Sequence, residues 1–362
     1  MSAFKKLIRK LHLWLGLLSG LVVFIIAITG CIYAFQEEIQ DATQPYRFVT
    51  KEEKAYKLPT ELLPIAQQQL PGKELHSLKY YAKDRAVEAI FYHYEPTYYY
   101  AVYLNPYSGE VLKVVDRNAG FFRFILDGHF YLWLPPTIGQ PVVAIFTLIF
   151  LTMVVSGIIL WFPKNKAAWK QRVWFRWKKS TKWRRKNYDL HNIVGFYASL
   201  VALIFVITGL VWGFQWFAYG YYKIMGGEKS LVYQEPLSGK DRQMSGDAPM
   251  LDQLYGRIFL NQPAIASAEF HPPASDSASL EVATNAEVGT YWKTDYRFFD
   301  QYSGKELSVD HIYGRQHNAK VADKIMRMNY DIHTGGIWGL PGKLLAFFMS
   351  LLIATLPITG VM

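Results

Sequence analysis

Four stretches of this chain, near residues 13–35, 141–162, 192–217 and 343–362, are almost wholly apolar. Each has the ~20 residues that a helix needs to cross a hydrocarbon core. A backbone inside lipid has to satisfy its own hydrogen bonds, so helices are the expected spanning form. The chain therefore reads as an α-helical membrane protein with four transmembrane helices and the lipid bilayer as its surroundings. Hydrophobic residues make up 51% of it, yet the net charge is +10, and that charge is concentrated. Residues 1–12 carry Lys5, Lys6, Arg9 and Lys10 with no acid, and residues 163–187 carry eleven Lys or Arg with no acid. These fifteen charges exceed the net total, so the rest of the chain is net acidic. Basic tracts beside apolar spans mark the cytoplasmic side. A nucleic-acid surface is the rival source of such tracts, but their place beside the spans argues against nucleic acid as a partner. The expected location is the bacterial inner membrane, with a cytoplasmic N-terminus. Residues 36–120 and roughly 219–330 then lie outside.

The first span has a competing explanation, since Ile28-Thr29-Gly30-Cys31 matches a lipoprotein cleavage pattern. Its apolar stretch is long for a signal core, and its features recur in the third span, so a membrane span is the expectation. The fourth span stops at Met362 with no basic flank, whereas the second runs on into the lysine-rich loop. The chain thus reads as truncated there.

A histidine stands at the mouth of each span. His12 begins the first, and Leu126-Asp127-Gly128-His129 precedes the second. Asn187-Tyr188-Asp189-Leu190-His191 opens the third and Asn329-Tyr330-Asp331-Ile332-His333 the fourth. Neutral imidazole is a common metal ligand, and two imidazoles from facing helices hold a b-type haem without covalent attachment. The single cysteine, Cys31, excludes an intrachain disulfide, covalent c-type haem and cysteine-bound iron–sulfur or zinc sites. No glycine-rich nucleotide loop follows a strand, so a flavin or nicotinamide domain is not expected.

The chain also reads as a tandem duplication. His12 is followed by Gly16 and by Ile28-Thr29-Gly30, and His191 by Gly195 and by Ile207-Thr208-Gly209, at the same spacings. Gly157 and Gly360 follow His129 and His333 at nearly equal distances. Between the spans, residues 59–70 suggest a helix and 75–83, 86–94 and 98–104 suggest strands, before the turn Asn105-Pro106-Tyr107-Ser108-Gly109. A second set has a helix near 249–259, strands near 264–270, 278–284 and 290–299, and Asp300-Gln301-Tyr302-Ser303-Gly304. The predicted organisation is transmembrane helices at 1–35, 127–162, 188–217 and 331–362, a basic cytoplasmic loop at 163–187, and two small extracytoplasmic α+β domains at 36–126 and 218–330.

In its Asp-x-His entries, its Thr-Gly pairs and its Tyr-Ser-Gly turns the chain resembles the PepSY-associated transmembrane helix family over essentially its whole length. That family includes iron-regulated inner-membrane proteins and FoxB-type ferrisiderophore reductases. The resemblance implies PepSY-like outer domains, two b haems between four helices, and reduction of a ferric siderophore or other Fe(III) chelate in the periplasm. Some members carry a fused flavin reductase module; this chain has none, which leaves a quinol or a cytoplasmic flavoprotein as electron donor.

Topology sorts the histidines by membrane face. His12 and His191 start outward spans and His129 and His333 start inward ones, so equivalent residues are expected to pair across the bundle. The expected haem iron ligands are therefore His12 with His191, and His129 with His333. Gly16 and Gly195 lie one turn beyond their histidines on the same face, where a flat macrocycle could approach the backbone; close helix packing is the alternative use of such glycines. A basic residue precedes each histidine by six: Lys6, Arg123, Arg185 and Arg327. Arg123 and Arg327 sit against the charge bias of the outer face and are candidate partners for haem propionates. Asp127, Asp189 and Asp331 are expected to be helix caps, with a bond to the imidazole as the alternative. Of His76, His93, His271, His311 and His317, most are expected to be ordinary surface residues. The leading function is an oxidoreductase, a ferric-chelate reductase. Its rivals are a membrane metal or haem transporter, which intramembrane histidines suggest, and a non-catalytic anchor or binding module.

Overall fold

The computed structural model describes residues 3–163, 165–239, 246 and 248–362. In chain order its helices are α1 (Ala3–Tyr33), α2 (Gln36–Thr43), α3 (Pro59–Gln69), α4 (Phe121–Tyr131), α5 (Pro136–Trp161) and α6 (Lys166–Arg172). They continue with α7 (Trp183–Gly213), α8 (Gln215–Ile224), α9 (Met250–Leu254), α10 (Val321–Arg327), α11 (Asn329–Thr334) and α12 (Gly339–Val361). The chain divides into a helical unit of residues 1–36, 121–224 and 329–362, and a second unit of residues 37–120 and 225–328.

In the helical unit four helices are long and apolar enough to cross a membrane: α1, α5, α7 and the one that includes α12. They form a closed ring. α1 packs on α5 and α12, and α7 packs on the same two helices, so α1 and α7 face each other diagonally. Small and β-branched residues make the shared core, among them Val23, Ala27, Ala198, Ala202 and Ala354. Where lipid is as apolar as the side chains, such close approach is what favours association.

The predicted continuous helices at 127–162 and 331–362 are each broken. Leu132 and Trp133 take positive φ, and Pro135 and Pro136 then start α5 afresh, which leaves α4 as a separate short helix carrying His129. Gly335 (φ +78°) breaks the other, so that α11 carries His333 and α12 follows. A side chain at Gly335 would also run into the backbone of Gly342. Glycine is tolerated there on both counts.

The second unit is one sheet, not two separate domains. Strands β1 (Leu75–Tyr81), β2 (Val87–His93), β3 (Tyr98–Leu104) and β4 (Val111–Asp116) come from the first segment. Strands β5 (Ser267–His271), β6 (Ser279–Asn285), β7 (Asp295–Asp300) and β8 (Glu306–Leu307) come from the second. The spatial order is β4-β3-β2-β1-β5-β6-β7-β8. The two halves meet where β1 pairs antiparallel with β5, with Leu78 opposite Phe270 and Lys79 opposite Glu269. Each half alone would leave a long edge strand with unpaired backbone groups, and joining them removes both edges. They share one core: Leu62 of α3 and Leu254 of α9 are fully buried with Leu78, Phe91, Phe270 and Val282. The six strands predicted by alternation are present; β4 and β8 lie beyond the Tyr-Ser-Gly turns, where no strand was expected.

Candidate functional site

The structure brings the four span histidines together as two pairs inside the helical unit. The rings of His12 and His191 have centroids 6.3 Å apart at 81°. Those of His129 and His333 are 6.1 Å apart at 71°. A metal–imidazole bond of about 2.0–2.1 Å, with about 1.1 Å more from nitrogen to ring centre, puts two rings on opposite sides of one metal about 6.2 Å apart. Both pairs match that spacing. Among the described residues no group of three or more His, Cys, Asp or Glu is placed to hold a metal ion.

Each imidazole is held in the same way. His12 Nδ1 lies 2.8 Å from Ser156 Oγ, His191 Nδ1 3.0 Å from Thr359 Oγ1 and His333 Nδ1 2.7 Å from Thr208 Oγ1. His129 Nδ1 lies 3.2 Å from Thr29 Oγ1 and 2.9 Å from the Ile26 carbonyl. These hydroxyls already donate within their own helices, Ser156 to Met153, Thr29 to Ile25, Thr208 to Ile204 and Thr359 to Thr355. A hydroxyl has one hydrogen, so while it donates within its own helix it accepts from the ring. In that arrangement Nδ1 carries the imidazole proton and Nε2 keeps a lone pair. That is the tautomer a metal-binding histidine needs.

The residue after each hydroxyl is glycine, and each glycine lies against the same ring. A Cβ at Gly30 would stand 3.0 Å from His129 Cε1, at Gly157 3.3 Å from His12 Cε1, at Gly360 3.3 Å from His191 Cε1 and at Gly209 3.7 Å from His333 Cε1. The clasp is reciprocal. α1 supplies Thr29-Gly30 to His129 and takes Ser156-Gly157 for its own His12, while α7 supplies Thr208-Gly209 to His333 and takes Thr359-Gly360 for His191. The sequence reading used Gly30 and Gly209 only as markers of the repeat. Four Ser/Thr-Gly dipeptides at matching depth were the signal for their role.

The shared pentapeptide has a specific use. Asn187 donates to the Thr359 carbonyl at 2.8 Å and Asn329 to the Thr208 carbonyl at 3.1 Å. Four residues on, His191 and His333 hold the hydroxyls of those same threonines. Positions i and i+4 share a helix face, so one face grips both polar groups of a single threonine. Two of the aspartates do something other than cap. Asp127 and Asp189 lie inside helices that begin at Phe121 and Trp183. Asp127 pairs with Arg123 at 2.9 Å, and Asp189 with Arg185 at 3.0 Å and with the Trp177 indole at 3.2 Å. Asp331 is buried in the first turn of α11.

Each pair borders a cavity. That of His12 and His191, about 630 Å³, is also lined by Gly16, Gly195, Arg9, Arg172 and Arg184. That of His129 and His333, about 300 Å³, has no charged lining residue among the described residues. Gly16 and Gly195 thus stand on the cavity wall, and they also pack near Met153 and Leu356 of neighbouring helices. Arg123 and Arg327 line neither cavity. Arg123 is engaged by Asp127. Arg327 is buried in the other unit, donates to the Thr294 carbonyl and stacks on Tyr296. The sequence reading missed Arg9 and Arg184, because a fixed spacing of six pointed instead to Lys6 and Arg185.

Among the outer histidines, His311 is buried and His271 half-buried. His311 Nε2 lies 3.1 Å from the Gln234 carbonyl. His271 packs on His76 at 4.8 Å between centroids and lies 3.7 Å from Glu269; burial lowers its pKa to about 4 despite that carboxylate.

Compared with known proteins, residues 9–362 match the family described as PepSY-associated TM region. None of the curated proteins matches.

Proposed function

The chain belongs to the PepSY-associated TM family, and from that premise we propose that it is an inner-membrane di-haem b reductase that passes electrons outward to a ferric siderophore or similar Fe(III) chelate. One observation carries this reading: two diagonal histidine pairs, each at the spacing of two axial ligands and each with Nδ1 tied so that Nε2 keeps its lone pair. Bound between these rings, a haem would supply a one-electron Fe(III)/Fe(II) couple.

The chain's own residues account for the rest. His12 and Gly30 stand eighteen positions apart on one helix, about 27 Å at 1.5 Å per residue, and Gly30 touches the His129 ring. The two pairs therefore sit at opposite depths of the bundle, as a route across a membrane requires. Ser156, Thr29, Thr208 and Thr359 fix the ring orientation, and the glycines leave the space that the rings occupy. A one-electron transfer needs no acid or base from the protein. The basic tracts at residues 1–12 and 163–187 put the His12–His191 pair on the cytoplasmic side under the positive-inside rule. The donor there is a quinol or a cytoplasmic flavoprotein. Hard oxygen ligands hold Fe(III) better than Fe(II), so reduction outside would release the iron.

The test is a proteoliposome with a reductant inside, an Fe(III) trihydroxamate outside and a ferrous-specific chromophore as trap. Wild-type protein should give Fe(II) outside. His333→Ala and His191→Ala should each abolish it while the protein still inserts. Equal rates for wild type and both variants would sink the proposal.

A further inference from the structure

We propose that Arg9 and Arg184 form an anion clamp for the two carboxylates of the macrocycle seated between His12 and His191, a clamp that the other cavity lacks. The inference rests on the haem reading above and extends it to this chain's own residues.

Among the described residues, the cavity of the His12–His191 pair is lined by three arginines and by no aspartate or glutamate. Arg172 is occupied, since it donates to the Leu160 and Trp161 carbonyls at the end of α5. Arg185, next in sequence to Arg184, is occupied by Asp189. Arg9 and Arg184 have no hydrogen bond or ion pair among the described residues, and both are exposed while lining the cavity, which puts them at its opening. Arg9 precedes His12 by three residues and Arg184 precedes His191 by seven. Both spacings keep arginine and histidine on one helix face, so the two guanidiniums approach the cavity from the two diagonal helices that supply the rings.

Two like charges facing one space without a counter-charge repel each other. A ligand that brings two carboxylates removes that cost, and guanidinium is the side chain best shaped to take them in pairs of hydrogen bonds. A haem has two propionates on one edge. With its iron between the rings and that edge turned to the opening, each guanidinium has one carboxylate to bind. Among the described residues, the 300 Å³ cavity offers tyrosine, glutamine, serine and threonine but no cation. Retention of the two macrocycles should therefore depend on different residues.

The experiment compares purified wild type with R9Q/R184Q, R9K/R184K, R9Q and R184Q. It measures haem per chain, the rate of haem transfer to excess apomyoglobin and the midpoint potentials. A charge-assisted hydrogen bond is worth enough to change retention about ten- to a hundredfold. The expected result is two haems in wild type and, in R9Q/R184Q, loss of one haem faster by about that factor while the other leaves at the wild-type rate. The midpoint potential of the affected haem should fall, because removing nearby positive charge favours the ferric form. R9K/R184K keeps the charge and should lie between. If R9Q/R184Q loses both haems, the single variants decide, since each must speed the loss of one haem only. Two haems with unchanged rates and potentials in every variant would overturn the clamp and leave the haem reading standing. A wild type without haem would overturn both.

Discussion

Thr208→Val tests the reasoning about tautomers at a single atom. Valine keeps the shape of threonine and removes the hydroxyl that lies 2.7 Å from His333 Nδ1. The ring then keeps only a backbone contact to Phe205, at a cost of up to about 1–3 kcal/mol, or the proton moves to Nε2 and removes the lone pair needed for a ligand. Either way affinity at the His129–His333 position should fall roughly 5- to 150-fold. The same change at Thr29 is predicted to be milder. His129 lies 3.2 Å from that hydroxyl and keeps the Ile26 carbonyl at 2.9 Å. The assay is titration of haem-depleted protein with hemin, followed by the low-spin Soret band, for T208V, T29V and wild type. A T208V protein that binds two haems at wild-type affinity, or a T29V protein more impaired than T208V, would refute the argument.

Other changes follow from the same geometry. Gly30→Val places a side chain 3.0 Å from His129 Cε1; the variant should lose the haem of the His129–His333 pair and keep the other, read as haem per chain. In the sheet unit, burial pushes Glu281 up to about 7, with Glu269 and Glu235 adding to the rise and the Tyr233 hydroxyl, 2.5 Å away, opposing it. A carboxyl whose folded pKa is raised contributes stability that is complete below about 4.5 and is lost as pH rises through about 7. Glu281→Gln should therefore leave the melting temperature nearly unchanged at pH 4.5 and raise it at pH 8, by on the order of 1–3 kcal/mol of stability; no difference between the two pH values would contradict this.

Much of the architecture could be read from the chain. Four apolar stretches gave the four long helices, and alternation gave six of the eight strands. The histidines were identified as pairs because topology and spacing both sort them by face. Other features depend on distant contacts that no local pattern encodes. The junction of β1 with β5 is one: Leu78 meets Phe270 only because two segments nearly two hundred residues apart each lack a neighbour at that edge. The break that separates α4 from α5 is another, since Leu132 and Trp133 are unusual residues for a positive φ. Arg123 resembled a propionate partner by spacing, but Asp127, one turn along its own helix, engages it. The Ser/Thr-Gly clasp lay between these cases. Its dipeptides were visible, but their meaning required knowing which ring they face.

The most direct test of the central claim is a reduced-minus-oxidised visible spectrum of the purified protein with haem quantified per chain. The account predicts two low-spin b-type haems per chain, one of which disappears in His129→Ala and the other in His12→Ala. Protein that inserts in the membrane, folds and carries no haem would contradict it, and the four clasped histidines would then need another explanation.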